Sequence, residues 1–186
     1  MNEARSRRVF FALWPDDEAA SHLSALAHNL AAGGGGRAMR PESLHLTLAF
    51  VGSVTPAQLA QLEGLAAGMR AKAFELGLDH LGFWPQRGIL WVGCRKAPAP
   101  LRGLAEALAL ELRAAGFAID HRPASALVPH ITLARRVRCA ALPRLGTPVR
   151  WQVSEFSLVE SHLTPFAASY KTLASFPLDE PDGAWG

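Results

Sequence analysis

The chain has 186 residues, of which 49% are hydrophobic and 19% are charged. That length and apolar fraction suit a globular protein with one substantial core, and the lack of a long polar tract excludes a disordered one. The net charge at pH 7 is only +3, but all basic residues except Lys72, Lys96 and Lys171 are arginines. Because the planar guanidinium group suits phosphate, this composition favours a phosphate-bearing ligand.

Neither the cysteines nor the N-terminus indicates an exported protein. Cys94 and Cys139 form no CxxC pair and have no metal-type spacing, which is typical of unpaired thiols in a reducing compartment. The apolar run after the basic start ends at Pro15 and is too short for a signal sequence or a membrane span. We therefore expect a cytoplasmic protein that does not enter a membrane.

The first half of the chain predicts strand, helix, strand and helix. Branched and aromatic residues over 9–14 indicate a strand, and an aspartate after Pro15 caps a helix that ends in the glycine tract 33–36. Residues 44–52 indicate the second strand. The segment Thr55-Pro56-Ala57-Gln58 has the form of a capping box with proline at the first helical position, and it predicts the second helix.

The second half predicts mostly strands. They are predicted over residues 74–84, 89–94, 129–136, 151–163 and 170–178, with one helix over residues 98–115. Because several neighbouring strands are joined by tight links, an antiparallel or mixed α+β fold is favoured over a doubly wound parallel sheet. No segment has the composition of an interdomain linker, so we expect a single domain over residues 1–186.

One four-residue pattern occurs twice. His45-Leu46-Thr47-Leu48 recurs 85 residues further on as His130-Ile131-Thr132-Leu133. Both copies lie in predicted strands, where side chains alternate between the two faces. Each copy therefore presents a histidine and a threonine on one face and apolar side chains on the other.

Two such pairs suit the hydrolysis of a phosphodiester. The reaction needs one proton taken from water and another given to the leaving oxygen, and two histidines can divide this work near neutral pH. A threonine hydroxyl can donate a hydrogen bond to a phosphoryl oxygen. One copy of the pattern alone is more often a half-buried histidine; two copies of matching polarity favour a catalytic site.

The doubled pattern resembles the signature of the 2H phosphoesterase superfamily. Its surroundings resemble one branch, the bacterial and archaeal RNA 2′,3′-cyclic phosphodiesterases, also called 2′-5′ RNA ligases. The resemblance rests on residues 8–13, 41–52, 90–93, 129–135 and 156–161, with Tyr170 downstream. The glycine tract 33–36 and residues 125–128 depart from the family pattern.

The resemblance implies a bilobal, pseudo-two-fold α+β fold with two antiparallel sheets, outer helices and the site in a central cleft. It implies that His45 donates a proton, that His130 accepts one, and that Thr47 and Thr132 hold phosphoryl oxygens. The substrates it implies are RNA with 2′,3′-cyclic phosphate ends or 2′,3′-cyclic nucleotides, opened to 2′-phosphomonoesters, with weak reverse ligation. No cofactor and no metal are expected, and we expect a monomer.

The resemblance also implies a phosphate-binding role for Arg135, but strict alternation from His130 places Arg136 on the catalytic face instead. A bulge or the end of the strand near Ala134 would restore Arg135, so both arginines stay candidates. Arg40, shortly before the first motif, is a further candidate for phosphate, although a surface loop charge is the simpler interpretation.

Other aromatic and histidine residues are weaker candidates. Phe50, Phe83 and Trp91 could stack on a base, but their spacing favours core packing. His22 and His28 are expected on a helix surface, and His162 in a structural hydrogen bond; His80 and His121 have no partner histidine at useful spacing.

Two other functions compete with hydrolysis by paired histidines. A nucleotide- or RNA-binding module would keep the same face without useful turnover, although both histidines and both threonines are present. A metal-dependent hydrolase would use the histidines as ligands, but neither motif has an adjacent carboxylate or cysteine.

Overall fold

A computed structural model describes residues 6–119, 128–138, 141–164 and 168–180. Within those ranges the strands are β1 (Arg7–Leu13), β2 (Arg37–Ala38), β3 (Leu46–Val54), β4 (Phe74–Leu78), β5 (His80–Trp84), β6 (Ile89–Gly93), β7 (His130–Arg135), β8 (Val149–Val153), β9 (Glu155–Leu163) and β10 (Ala168–Pro177). The helices are α1 (Asp17–Gly34), α2 (Pro56–Gly68) and α3 (Ala99–Ala114), and Pro41–Ser43 forms one 3-10 turn. His121 and Cys139 lie outside the described residues, as does most of the segment 125–128.

The helix caps follow the sequence signals. The Asp16 carboxylate accepts a hydrogen bond from the backbone N–H of Ala19 and begins α1. At α2 the capping box forms in both directions, because Thr55 Oγ1 accepts from the Gln58 N–H and Gln58 Oε1 accepts from the Thr55 N–H. Helix α1 ends at Gly35, whose φ of 66° is the left-handed conformation that glycine adopts without strain.

Eight strands form one sheet in the order β10-β9-β1-β3-β7-β6-β5, with β2 added on β7, and β4 and β8 form a second sheet. All pairings within the two sheets are antiparallel. The predicted α+β fold with two antiparallel sheets is therefore confirmed. The core lies on one face of the large sheet, where Phe11, Leu46 and Ile131 pack in the same cluster as Leu23 of α1 and Leu104 of α3.

The two halves of the large sheet meet at a single residue pair, Leu46 of β3 with Ile131 of β7. Each of these residues directly follows a motif histidine. An antiparallel pair has a local two-fold axis between its strands, so the axis that relates the two motifs lies at their junction.

Two long predicted strands are each divided in the structure. The predicted strand 74–84 breaks at Asp79, and the predicted strand 151–163 breaks at Ser154. In each case the chain leaves the two-stranded sheet and enters the large one, so its pairing partner changes. At the first break Asp79 donates its N–H to the Gly93 carbonyl and accepts from the Arg95 N–H. Within the described ranges, none of the helices has the length and apolarity needed to cross a membrane.

Candidate active site

The junction of β3 and β7 brings the two motifs together on the face opposite the core. With Leu46 opposite Ile131, the antiparallel register sets His45 across from Thr132 and Thr47 across from His130. Leu46 and Ile131 are fully buried, whereas the histidines and threonines are half-buried. The structure therefore brings together all four residues that the sequence singled out.

Both imidazoles are held by the same hydrogen bond. His45 Nδ1 lies 2.9 Å from the carbonyl oxygen of Ser43, and His130 Nδ1 lies 2.8 Å from that of Val128. A carbonyl oxygen can only accept, so Nδ1 carries the proton in both rings and Nε2 is the nitrogen that can gain or lose one. Each carbonyl belongs to the residue two positions before its histidine, so the repeat extends to the way each ring is oriented.

Aromatic side chains surround each ring. His45 contacts Phe10, Trp14 and Tyr170, with ring centroids 5.0, 5.3 and 4.8 Å away. His130 contacts Trp84 at 4.7 Å and Trp91 at 6.0 Å. Sequence reasoning did not assign Trp14 or Trp84 to the site. Trp84 ends β5 and Trp14 directly follows β1, and their place in the alternation of those strands was the available signal.

The same burial lowers the pKa of both histidines. Desolvation lowers the pKa of His45 to about 4, and the positive charges of His130 and Arg135 act in the same direction. The pKa of His130 is also lowered, chiefly by burial. In both rings the hydrogen bond to the backbone carbonyl opposes the shift. Both imidazoles are therefore neutral at pH 7 in the free protein, and a bound anion would favour their protonation.

A bulge in β7 determines which of Arg135 and Arg136 lies on the face of the motifs. Trp91 of β6 lies opposite Thr132, but its neighbour Leu90 lies opposite Ala134, so Leu133 is an extra residue in β7. Leu133 and Ala134 are both buried, and Arg135 returns to the face of His130 and Thr132. Arg136 lies beyond the strand, with a φ of 57° that turns the chain.

An equivalent bulge in β3 affects Phe50. Phe11 and Ala12 of β1 lie opposite Ala49 and Thr47, so Leu48 is the extra residue. Phe50 consequently lies opposite Phe10 on the motif face, with the two ring centroids 5.7 Å apart, and it is 59% exposed. The prediction of core packing for Phe50 was wrong, because a bulge interrupts the alternation on which it rested.

The other candidates lie as follows. Phe83 packs beside a buried cluster, which confirms core packing; Trp91 is also buried, with 8% of its surface exposed, but on the motif face, where it contacts His130. Arg40 is exposed; it pairs with Glu42 and donates to the Ala168 carbonyl, which favours the surface interpretation.

His22 and His28 are exposed on α1, and His162 lies 3.3 Å from the Glu160 carboxylate, which is held by Arg7. In the described part of the chain, no three His, Cys, Asp or Glu side chains gather as they would around a metal ion.

The chain is similar to known phosphoesterases in sequence and in structure. Residues 13–91 match the family described as LigT like Phosphoesterase. The RNA 2′,3′-cyclic phosphodiesterase of Escherichia coli is 33% identical over 146 residues, which are 78% of this chain and 81% of that protein. The protein of the same name from Archaeoglobus fulgidus is 29% identical over 181 residues, covering 91% of this chain and 99% of that protein.

The fold agrees with these matches. The crystal structure of E. coli LigT complexed with 3′-AMP has a TM-score of 0.84 and 31% sequence identity, and covers 94% of this chain and 99% of that one. The resemblance drawn from the doubled motif is thus confirmed, and the chain belongs to the LigT-like branch of the 2H phosphoesterases.

Proposed function

We propose that this protein hydrolyses 2′,3′-cyclic phosphates at RNA ends, with His45 and His130 as general acid and general base. The observation that carries the proposal is the matched pair of imidazoles. Each has Nδ1 tied to a backbone carbonyl and Nε2 left to exchange a proton, and both lie beside a threonine at the β3–β7 junction. The name of the E. coli and A. fulgidus relatives, RNA 2′,3′-cyclic phosphodiesterase, supports the choice of substrate.

In the proposed reaction His130 Nε2 takes a proton from water as the water oxygen bonds to phosphorus. The bond between phosphorus and O3′ breaks on the opposite side, and His45 Nε2 gives its proton to O3′. The product is a 2′-phosphomonoester, as the family resemblance implies. Thr47 and Thr132 donate hydrogen bonds to the phosphoryl oxygens, and the Arg135 guanidinium balances their charge.

The substrate itself supplies the condition that makes His45 an acid. In the free protein its pKa of about 4 leaves the ring neutral at pH 7. A cyclic phosphate carries one negative charge, and an opposite charge a few ångströms away raises the pKa of an imidazole. Substrate binding therefore favours protonation of His45 at Nε2, and this is the proton that the leaving oxygen later receives.

Product analysis tests this proposal. The wild type should convert a 2′,3′-cyclic phosphate oligonucleotide to the 2′-phosphate alone, and EDTA should leave the rate unchanged. His45→Ala and His130→Ala should each lower turnover by roughly 10²- to 10⁴-fold, and the double variant by little more than the worse single one. The near-ultraviolet circular dichroism of the variants should match that of the wild type.

Three outcomes would contradict the proposal. Binding of the cyclic phosphate without turnover would favour the RNA-binding module. Loss of activity in EDTA, restored by zinc or manganese, would favour a metal-dependent hydrolase. A mixture of 2′- and 3′-phosphates would mean that the ribose is not held in one pose.

We also propose weak reverse ligation and a monomeric, cytoplasmic protein. By microscopic reversibility, a 5′-hydroxyl in place of water would form a 2′-5′ linkage without a nucleoside triphosphate. Chromatography against a chemically made 2′-5′ dinucleotide, sedimentation of the purified protein and fractionation of cells check these three points.

A further inference from the structure

Five exposed arginines surround the outer end of β7 and are called here the outer arginines. They are Arg37, Arg87, Arg135, Arg136 and Arg138. Arg37 of β2 is the direct cross-strand neighbour of Arg135. Like charges placed opposite each other on a sheet repel, so the pairing of these two arginines does not by itself stabilise the sheet.

Four of the outer arginines, Arg87, Arg135, Arg136 and Arg138, also differ from other arginines in their partners. Arg7, Arg40 and Arg150 each form an ion pair with a glutamate. Among the residues that the structure describes, no carboxylate forms an ion pair with Arg87, Arg135, Arg136 or Arg138. The charges of these four arginines are therefore available to a ligand.

The glycine tract at the end of α1 fixes the segment that carries three of these arginines. A Cβ on Gly34 would lie 2.6 Å from Val137 Cγ1, and one on Gly36 would clash with Val137 Cγ2. Glycine at both positions lets α1 and β2 close on the Val137 side chain, which is 4% exposed. The Arg138 N–H donates to the Gly34 carbonyl, so the backbone is held while the flanking Arg136 and Arg138 remain exposed.

The outer arginines are continuous with the candidate active site. Arg135 belongs to both, since the bulge in β7 places it on the face of His130 and Thr132. Arg87 lies in the turn between β5 and β6, and the next residue, Gly88, accepts a hydrogen bond from the Val137 N–H. The same turn begins at Trp84, whose ring contacts His130. A chain of anions that starts at the reacting phosphate can therefore pass directly onto this surface.

We propose that the outer arginines bind the phosphodiester backbone of single-stranded RNA next to the reacting phosphate, so that the preferred substrate is an oligonucleotide and not a cyclic mononucleotide. This inference rests on the proposed function. Guanidinium groups bind successive phosphates without reading the base. The backbone can come from the nucleotides that precede the cyclic phosphate or from a separate strand with a free 5′-hydroxyl, and the experiment separates these sources.

The test compares a variant with a control of equal charge. The variant carries Arg87→Gln, Arg136→Asn and Arg138→Gln, with asparagine at 136 because that residue tolerates the left-handed φ of 57°. The control carries Arg70→Gln, Arg113→Gln and Arg150→Gln, three exposed arginines outside the group. Hydrolysis of 2′,3′-cyclic AMP is measured beside that of an eight-nucleotide RNA with a 2′,3′-cyclic phosphate end.

The wild type and the control should favour the oligonucleotide in kcat/KM, and the variant should lose this preference roughly 10-fold, as expected for three exposed charge pairs. In fluorescence anisotropy with an eight-nucleotide RNA that has ordinary hydroxyl ends, the slope of log K against log salt should fall by ~0.7 for each lost phosphate contact.

The outcomes are distinguishable from failure of the proposed function. A lost preference for the oligonucleotide substrate assigns the surface to the preceding nucleotides. An unchanged preference together with weaker binding of the hydroxyl-ended RNA overturns the claim about substrate preference and assigns the surface to a separate strand. If the variant matches the control in both assays, this inference is overturned, while hydrolysis of 2′,3′-cyclic AMP still supports the proposed function. If the wild type hydrolyses neither 2′,3′-cyclic AMP nor the oligonucleotide, the proposed function itself fails.

Discussion

A backbone carbonyl and the surrounding aromatic rings determine the tautomer and the pKa of each motif histidine. The carbonyls of Ser43 and Val128 fix the tautomer, and the surrounding aromatic side chains remove water. Removal of water costs the charged form of an imidazole more than the neutral form. Each ring is therefore oriented for proton transfer but uncharged until an anion arrives.

Proton uptake on ligand binding follows from this arrangement. In the His130→Ala variant, which we expect to turn over slowly, binding of 2′,3′-cyclic AMP at pH 6 should be accompanied by uptake of part of a proton by His45, because the phosphate raises its pKa from about 4. Calorimetry in buffers of different ionisation heat measures the uptake. The matched control is the double variant with His45→Gln, which should take up none; equal uptake in both proteins would assign the proton to another group.

Phe50 provides a second prediction at the scale of one residue. Its exposed ring lies on the motif face, where a nucleobase attached to the bound ribose could stack on it. Because stacking of a base on an aromatic ring is worth ~1–3 kcal/mol, Phe50→Ala should raise KM for 2′,3′-cyclic AMP by about 5- to 150-fold and leave kcat nearly unchanged. Leu110→Ala, which removes an equally exposed apolar side chain from α3, is the control. An unchanged KM would exclude the stacking role.

At the scale of the strands, two bulges orient the site. Leu48 in β3 and Leu133 in β7 are the extra residues, each the last of its four-residue motif. Past the bulge, the equivalent positions hold Phe50 in one strand and Arg135 in the other. The duplicated motif thus makes the centre of the site nearly symmetric, while these two residues give it an apolar end and a cationic end.

The pairing of β5 with β6 places Gly82 beside the Trp91 ring that contacts His130. A Cβ on Gly82 would fall within the indole ring of Trp91, which contacts His130. Gly82→Ala should therefore displace that ring, lower the free energy of unfolding by ~1–3 kcal/mol and reduce turnover. Gly103→Ala in α3 meets no atom within 4 Å and should stabilise the protein by up to ~1 kcal/mol. Urea unfolding measures both changes; equal stability of the two variants would contradict the packing argument.

At the scale of the whole molecule, desolvation of the two motif histidines lowers the free energy of unfolding at acid pH. A histidine whose pKa is lower in the folded than in the unfolded state binds fewer protons when folded, so stability falls as pH falls between those two pKa values. For His45 the window runs from 6.5 down to about 4, and His130 acts in the same direction. The Arg7–Glu160 pair lowers the pKa of Glu160 from 4.5, so its contribution is lost only at lower pH.

The dependence of the free energy of unfolding on pH should reveal the contribution of His45. Between pH 7 and pH 5, His45 should account for a loss of ~2 kcal/mol in the free energy of unfolding. The variant His45→Gln, which cannot be protonated in this range, should lose correspondingly less stability over the same interval. Urea unfolding at several pH values makes the comparison. If the wild type and the variant show the same dependence on pH, the His45 ring is not desolvated in the folded protein.

Local sequence determined the faces on which the motif side chains lie and the start of α2. The alternation in His45-Leu46-Thr47-Leu48 and its repeat predicted which side chains share a face, and the capping box at Thr55 predicted the start of α2. These features depend on neighbours a few residues apart, so the chain encodes them locally. The doubled motif also sufficed to predict the family.

Tertiary structure alone decided where the bulges and strand breaks fall and which side chains gather around the motifs. The choice of Arg135 over Arg136 and the exposure of Phe50 both depend on bulges, and a bulge is set by the pairing of two strands far apart in sequence. The breaks at Asp79 and Ser154 arise because the chain changes sheets, which leaves no local signal. The rings around each histidine and the outer arginines come from separate elements that only the folded sheet brings together, so no window of the sequence contains them.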